Sequence, residues 1–185
     1  MRSQDKSVRS IAFRSLAAAA ILLFAFWAAV PRFDDRPRRK ADESTAFARL
    51  KSIFEAEKQF MAARAIDRDG DGRGEAGFLG ELAGVGPLRG GGRLETPLLS
   101  PIFACFADGV VRTCGYEFEV KLPTADGRRV GVAAAAAVDV DASEVDFRVD
   151  AWPDPLNGSG GRLFFIDGRG EVMARRGDEP WSVVR

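Results

Sequence analysis

The stretch GYEFEVKL, residues 115–122, decides the fold class of this 185-residue chain. Apolar and charged side chains alternate from Tyr116 to Leu122, and such alternation is typical of a strand with one buried face. Further apolar or alternating stretches follow at residues 130–140, 145–151, 163–166 and 171–175. The last two are joined by the turn sequence DGRG, residues 167–170. We therefore predict an antiparallel sheet of four to five strands in the last third of the chain.

Upstream of the sheet, the chain has the pattern of one amphipathic helix that runs to about Ala65. Its apolar side chains recur at helical spacing, at Phe47, Leu50, Ile53, Phe54, Phe60 and Met61. Asp42 or Ser44 supplies the polar side chain that begins the helix, because Pro37 disfavours helical backbone at Arg36. A single helix followed by an antiparallel sheet predicts an α+β fold with the helix packed on one face of the sheet.

An apolar segment near the start of the chain, SLAAAAILLFAFWAAVP at residues 15–31, has no charged side chain. Its 17 residues reach the lower limit of about 17–25 that a helix needs to cross a bilayer. We predict a single-pass transmembrane anchor here, and hence a lipid bilayer as a partner. It separates a basic tail at residues 1–14 from a charged linker at residues 32–41, and residues 42–185 form the domain beyond them.

Two other fates of this segment stay open. A cleaved secretory signal fits the basic residues before the segment. A signal-peptidase cleavage site needs small residues two positions apart, but Phe26 and Trp27 stand at that spacing before Ala28 and Ala29. Burial inside a soluble domain is the other alternative. Four basic residues precede the segment and five lie in the ten residues after it, so charge alone does not set its orientation.

The two cysteines bear on the orientation. Cys105 and Cys114 flank a turn signal, Asp108-Gly109, and two short strands joined there would bring the sulfurs within disulfide range. The alternative is a pair of free thiols in a reducing cytosol. A disulfide predicts an oxidising compartment. We therefore expect an inner-membrane protein with a cytoplasmic N-terminus and an extracytoplasmic domain.

Composition excludes several classes of function. Lysine plus arginine equals aspartate plus glutamate at 27 each, so the chain lacks the basic excess of a nucleic-acid binder. It contains no histidine, which excludes Ser-His and Cys-His catalysis and histidine-ligated zinc. We therefore predict no catalytic residues and a non-enzymatic role.

One acidic loop is a candidate metal site. Asp67, Asp69 and Asp71 alternate and are followed by Gly72, as in the first six positions of an EF-hand calcium loop. The twelfth position lacks the glutamate of an ordinary EF-hand, so Glu75 is the fourth candidate ligand of a shortened Ca²⁺ loop. The alternative is a surface turn whose aspartates bind their own backbone.

A second hypothesis for the function is an anchored or secreted carbohydrate-binding or hydrolytic domain. It would use Asp and Glu carboxylates together with Trp152 or Trp181, since indole rings stack on sugars. Such a site requires a concave pocket with two facing carboxylates.

The chain resembles type IV pilins and type II secretion pseudopilins, and more closely a bacterial pilin-like group with an acidic glycine loop. The stretches that carry the resemblance are LKSIFEAEKQF (50–60), DRDGDGRGEAGFLGEL (67–82), GYEFEV (115–120), WP (152–153) and FFIDGRGEV (164–172). The resemblance implies a pilin-like head and an accessory role in a type II secretion or type IV pilus-like apparatus, whose components would be the partners. The stretch SIAFRSLAAAA (10–20) lacks the glycine and glutamate of a prepilin cleavage motif, so we expect a permanent anchor.

Overall fold

The computed structural model describes residues 36–104, 108–157 and 161–184. All of the described residues belong to one compact unit of the chain, Arg36–Arg185. The predicted basic tail, the apolar segment at 15–31 and Cys105 lie outside them. Among the helices that are described, none has both the length and the hydropathy of a bilayer span.

The described residues form an α+β fold, as predicted, around an antiparallel sheet. Its strands are β1 (Val111–Thr113), β2 (Tyr116–Pro123), β3 (Arg129–Val130), β4 (Arg148–Pro153), β5 (Leu163–Asp167), β6 (Val172–Arg175) and β7 (Ser182–Val183). The order in the sheet is β1-β2-β4-β5-β6-β7, and β3 pairs with β2. The sheet thus has seven strands where four to five were predicted, because β1 and β7 have three and two residues and are too short for alternation to reveal.

The two strongest strand predictions are confirmed. In β2 the alternate side chains of Tyr116, Phe118, Val120 and Leu122 are all buried. The closing hairpin pairs β5 with β6 across the turn at 167–170, with Ile166 opposite Val172.

The strand predicted for residues 130–140 is wrong beyond Val130. Val132–Ala137 form a 3₁₀ helix, and a short helix α3 (Val140–Ser143) follows. The cause is the alanine run at 133–137, because alanine lacks the side chain that packs and stabilises a strand.

Helix α1 (Arg36–Ala62) begins earlier than expected. The charged linker predicted for 32–41 is therefore helical from Arg36 onward. Pro37 lies in the first turn, where a missing N–H costs no intrahelical hydrogen bond and the fixed φ suits a helix. The helix ends near Arg64, whose positive φ of 52° breaks the helical path.

Helix α1 packs across β4 and β5. Its buried face consists of Ala46, Leu50, Ile53, Ala56, Glu57 and Phe60. Phe47, Phe54 and Met61, which were also predicted for this face, are partly buried at its margin. The core lies between this face and the inner side of the sheet, and it extends under α2 (Leu79–Leu82), so both ends of the loop at 63–78 are anchored.

Candidate functional site

The acidic loop returns along the end of α1 before it reaches α2. The N–H of Glu75 donates to the carbonyl of Ile66 at 2.9 Å. Gly74 lies so close to the helix that an added Cβ would overlap the carbonyl oxygen of Met61. The backbone between these points is therefore held in one path, which places the aspartates at the surface.

The loop brings three predicted ligands together. One carboxylate oxygen from each of Asp67, Asp69 and Asp71 lies within 4.8 Å of the other two. Asp67 also accepts hydrogen bonds from the N–H groups of Gly70 (2.8 Å) and Gly72 (3.1 Å). Both glycines have positive φ, 74° and 88°, which other residues adopt at a cost. Asp69 accepts from the N–H of Asp71 at 3.2 Å, and Asp71 accepts from the N–H of Arg73 at 2.8 Å. The carboxylates thus converge, and they also bind their own backbone, as the alternative of a surface turn required.

The fourth predicted ligand, Glu75, lies apart from this cluster. Its buried carboxylate accepts hydrogen bonds from the Arg68 side chain, with Nη2 to Oε2 at 2.7 Å and Nε to Oε1 at 2.9 Å. It also accepts from the Ser143 hydroxyl at 3.2 Å, and Nη1 of Arg89 lies 3.7 Å from Oε2. These donors occupy the carboxylate, so Glu75 serves as the internal anchor of the loop.

A second acidic group, which the sequence analysis missed, adjoins the loop. Carboxylate oxygens of Asp69, Asp141 and Glu144 lie within 4.8 Å of one another. Glu144 is only 8% exposed, and its Oε1 atom has no hydrogen-bond partner. Burial, followed by the charges of Asp71 and Asp69, raises the pKa of Glu144 above its usual value. The stretch DVDASE, residues 139–144, carries three acids and was the available signal.

Glu75 connects the two acidic groups. Besides the hydroxyl contact to Ser143, the N–H of Ala76 donates to the Ser143 carbonyl at 2.9 Å. Asp139 caps α3 by accepting from the N–H of Ala142 at 2.9 Å. Glu144 follows Ser143 directly, so these contacts set its side chain against the loop.

Beneath the loop lies a buried group of charged side chains. Glu81 accepts from the N–H of Phe78 at 2.7 Å and from the N–H of Arg89 at 2.8 Å. The guanidinium of Arg89 packs over the Phe78 ring and donates to the carbonyl of Ala76. Glu57 on α1 accepts from the N–H of Gly77 at 2.9 Å. The segment at 75–89 is therefore tied to α1 by polar contacts as well as by apolar packing.

Comparison of the chain with protein-family models, with curated proteins and with solved structures yields no match.

The predicted disulfide involves Cys105, which lies outside the described residues, so the pairing stays a prediction. Cys114 is an exposed free thiol in the structure, at the tight turn between β1 and β2. Its Sγ accepts from the Thr113 hydroxyl at 3.6 Å and from Nη2 of Arg49 at 3.2 Å, and these contacts lower the pKa of the thiol.

Both tryptophans of the carbohydrate hypothesis have contacts within the sheet. Nε1 of Trp152 donates to Oε2 of Glu117 at 2.6 Å. Trp181 packs edge-to-face on Phe165, with ring centroids 4.7 Å apart. The guanidinium of Arg175 also lies 4.9 Å from a Trp181 ring centroid. These contacts fit roles in packing the sheet.

Proposed function

We propose that this chain is a non-enzymatic, single-pass membrane-anchored envelope protein with a pilin-like head. The observation that carries the proposal is the position of α1. The helix begins at Arg36, soon after the apolar segment at 15–31, and it packs along β4 and β5 of an antiparallel sheet. A long helix that follows an apolar N-terminal segment and lies on a small sheet is the plan that the resemblance to pilins implies.

The early start of α1 strengthens this proposal. Because α1 begins at Arg36, only residues 32–35 of the sequence separate the apolar segment from the first residue of the helix. The proposed location is the inner membrane, with the N-terminus in the cytoplasm and the head outside it. Components of a secretion or pilus-like apparatus are the proposed partners.

The intact mass of the natively expressed protein, measured from membrane and soluble fractions, tests this proposal. A full-length species found only in the membrane fraction supports it. Alkylation before and after reduction reports the thiols of Cys105 and Cys114 in the same experiment, and protection until reduction supports an extracytoplasmic head. Loss of about 30 residues, as expected for a cleaved signal peptide, or a full-length chain in the soluble fraction, contradicts the anchor.

A further inference from the structure

We propose that the acidic loop and the end of α3 together form one binding site for a divalent cation, with Ca²⁺ as its ligand. The ligands are the carboxylates of Asp69, Asp141 and Glu144, and Asp67 and Asp71 lie beside Asp69 as further negative charge. The proposal is independent of membrane anchoring and of any partner. Of the four predicted ligands it keeps Asp69 as a direct ligand, and it adds two residues from a distant part of the sequence.

The spacing of Asp69, Asp141 and Glu144 fits one ion. Asp69 belongs to both acidic groups, and within each group the oxygens are no more than 4.8 Å apart. Two oxygens on one Ca²⁺, at about 2.3–2.6 Å each, are separated by at most about 5 Å. The oxygens of Asp69, Asp141 and Glu144 therefore lie where they can bind one ion, whereas those of Asp67 and Asp71 are grouped with Asp69 alone.

Glu144 supplies the observation that points to a ligand. Its Oε1 atom is buried without a hydrogen-bond partner, although a buried carboxylate oxygen normally has one. Nη1 of Arg73 lies 3.8 Å from the other oxygen, Oε2, which is beyond hydrogen-bonding distance. A cation beside Asp69 and Asp141 would satisfy the orphaned oxygen.

The charge of the site is only partly compensated by side chains. Arg73 contacts Asp71 and Glu144 at 3.8 Å each, but its side chain is 70% exposed. Arg68, the other arginine of the loop, is held by Glu75. Five carboxylates therefore lie beside the guanidinium of Arg73, with that of Arg64 near Gly72. Like charges this close repel one another unless positive charge offsets them.

The type of ligand favours calcium over magnesium. Ca²⁺ accepts six to eight oxygens in flexible geometry, whereas Mg²⁺ requires a strict octahedron and is usually held by one or two carboxylates. A cleft of about 460 Å³, bordered by Gly72, Arg73 and Glu144, reaches the Glu144 side of the site. An ion there would join the loop at the end of α1 to the segment that enters β4.

Calcium titration of the full-length chain in detergent, after treatment with a chelator, tests the proposal. Isothermal titration with CaCl₂ should show one ion per chain, and the thermal midpoint of unfolding should rise with the Ca²⁺ concentration. Glu144→Gln and Asp69→Asn should each weaken the affinity at least about tenfold. The matched control is Glu55→Gln, which removes an exposed carboxylate from α1 and should leave the affinity unchanged.

Two results would overturn the site. One is the absence of heat and of a thermal shift up to about 5 mM Ca²⁺, which exceeds the range of extracellular calcium modules. The other is wild-type affinity in Asp69→Asn, a variant whose exposed side chain is not needed for packing. If Glu144→Gln fails to fold, a weaker Ca²⁺ affinity in Asp69→Asn alone still supports the loop as part of the site.

Discussion

Oε2 of Glu57 accepts a hydrogen bond from the N–H of Gly77 at 2.9 Å, while its Oε1 atom is buried without a partner. The residue is fully buried, and this burial raises the pKa of the carboxyl to about 8. The nearby charge of Glu81 raises it too, whereas the hydrogen bond from Gly77 and the charge of Arg89 lower it. Glu57 is therefore largely protonated at neutral pH.

The titration of Glu57 should make folding stability depend on pH. The pKa of Glu57 is about 8 in the folded chain, whereas its ordinary value is 4.5. The folded state therefore binds the proton more tightly than the unfolded state does. Its contribution to stability is complete below about pH 4.5 and is lost as the pH rises toward 8, by at most about 1.4 kcal/mol per pH unit.

Glu57→Gln should remove this dependence, because the amide has nearly the same shape and does not ionise. We expect the free energy of unfolding of the variant, relative to that of wild type, to increase from pH 5 to pH 9. Urea unfolding at several pH values measures it, with Glu55→Gln on the exposed side of α1 as the control. A difference that does not change with pH would show that Glu57 has an ordinary pKa.

Gly74→Ala should destabilise the chain by about 2–4 kcal/mol. An added Cβ would overlap the carbonyl oxygen of Met61, so the loop or the end of α1 must move. Gly90→Ala is the matched control, since its nearest contact would be an ordinary 3.6 Å to Ile66. Thermal unfolding of both variants measures the difference, and equal midpoints would contradict the close approach.

Arg68→Ala should destabilise the chain by about 2–4 kcal/mol, because it leaves the buried carboxylate of Glu75 with weaker partners. Arg128→Ala breaks an ion pair with Asp126 in which both side chains are more than half exposed, so its effect should be small. Chemical unfolding of the two variants makes the comparison. Similar losses of unfolding free energy in the two variants would mean that the ion pair of Arg68 and Glu75 is not shielded from water.

Arg73→Ala should raise the Ca²⁺ affinity of the proposed site about threefold to tenfold, because Arg73 is the positive charge that competes with the ion. Without calcium the same variant should unfold at a lower temperature than wild type, because Asp71 and Glu144 then lack the positive charge of the Arg73 guanidinium. Arg169→Ala, in the β5–β6 turn, removes the same charge elsewhere and should change neither quantity. A fall in affinity on loss of Arg73 would argue against competition.

Local patterns predicted the long elements of the fold well. The helical spacing from Phe47 to Met61 and the alternation in β2 both report burial on one side, which is a property of neighbouring residues. The start of α1 was misjudged because Pro37 was treated as a helix breaker. A proline in the first turn lacks only an N–H that the helix does not use.

The composition of the candidate site was only half predictable. The aspartates of the loop alternate within a few residues, so their convergence is visible in the sequence. Glu144 reaches them only because Ser143 is held by Glu75, and no local spacing encodes a contact between segments so far apart. Glu75 lies apart from the aspartates because Arg68, inside the same loop, turns inward to pair with it, and no local pattern shows which way that arginine turns.

The contact of Glu75 with Ser143 has a consequence for recognising relatives of this chain. The loop and the segment at 139–144 depend on each other, so a change in one is tolerated best when the other changes too. In a set of related sequences the dependence would appear as correlated substitution between positions 75 and 143 and between positions 69 and 144. Sequences that show this correlation would be recognised as relatives that keep the contact between the loop and the segment at 139–144.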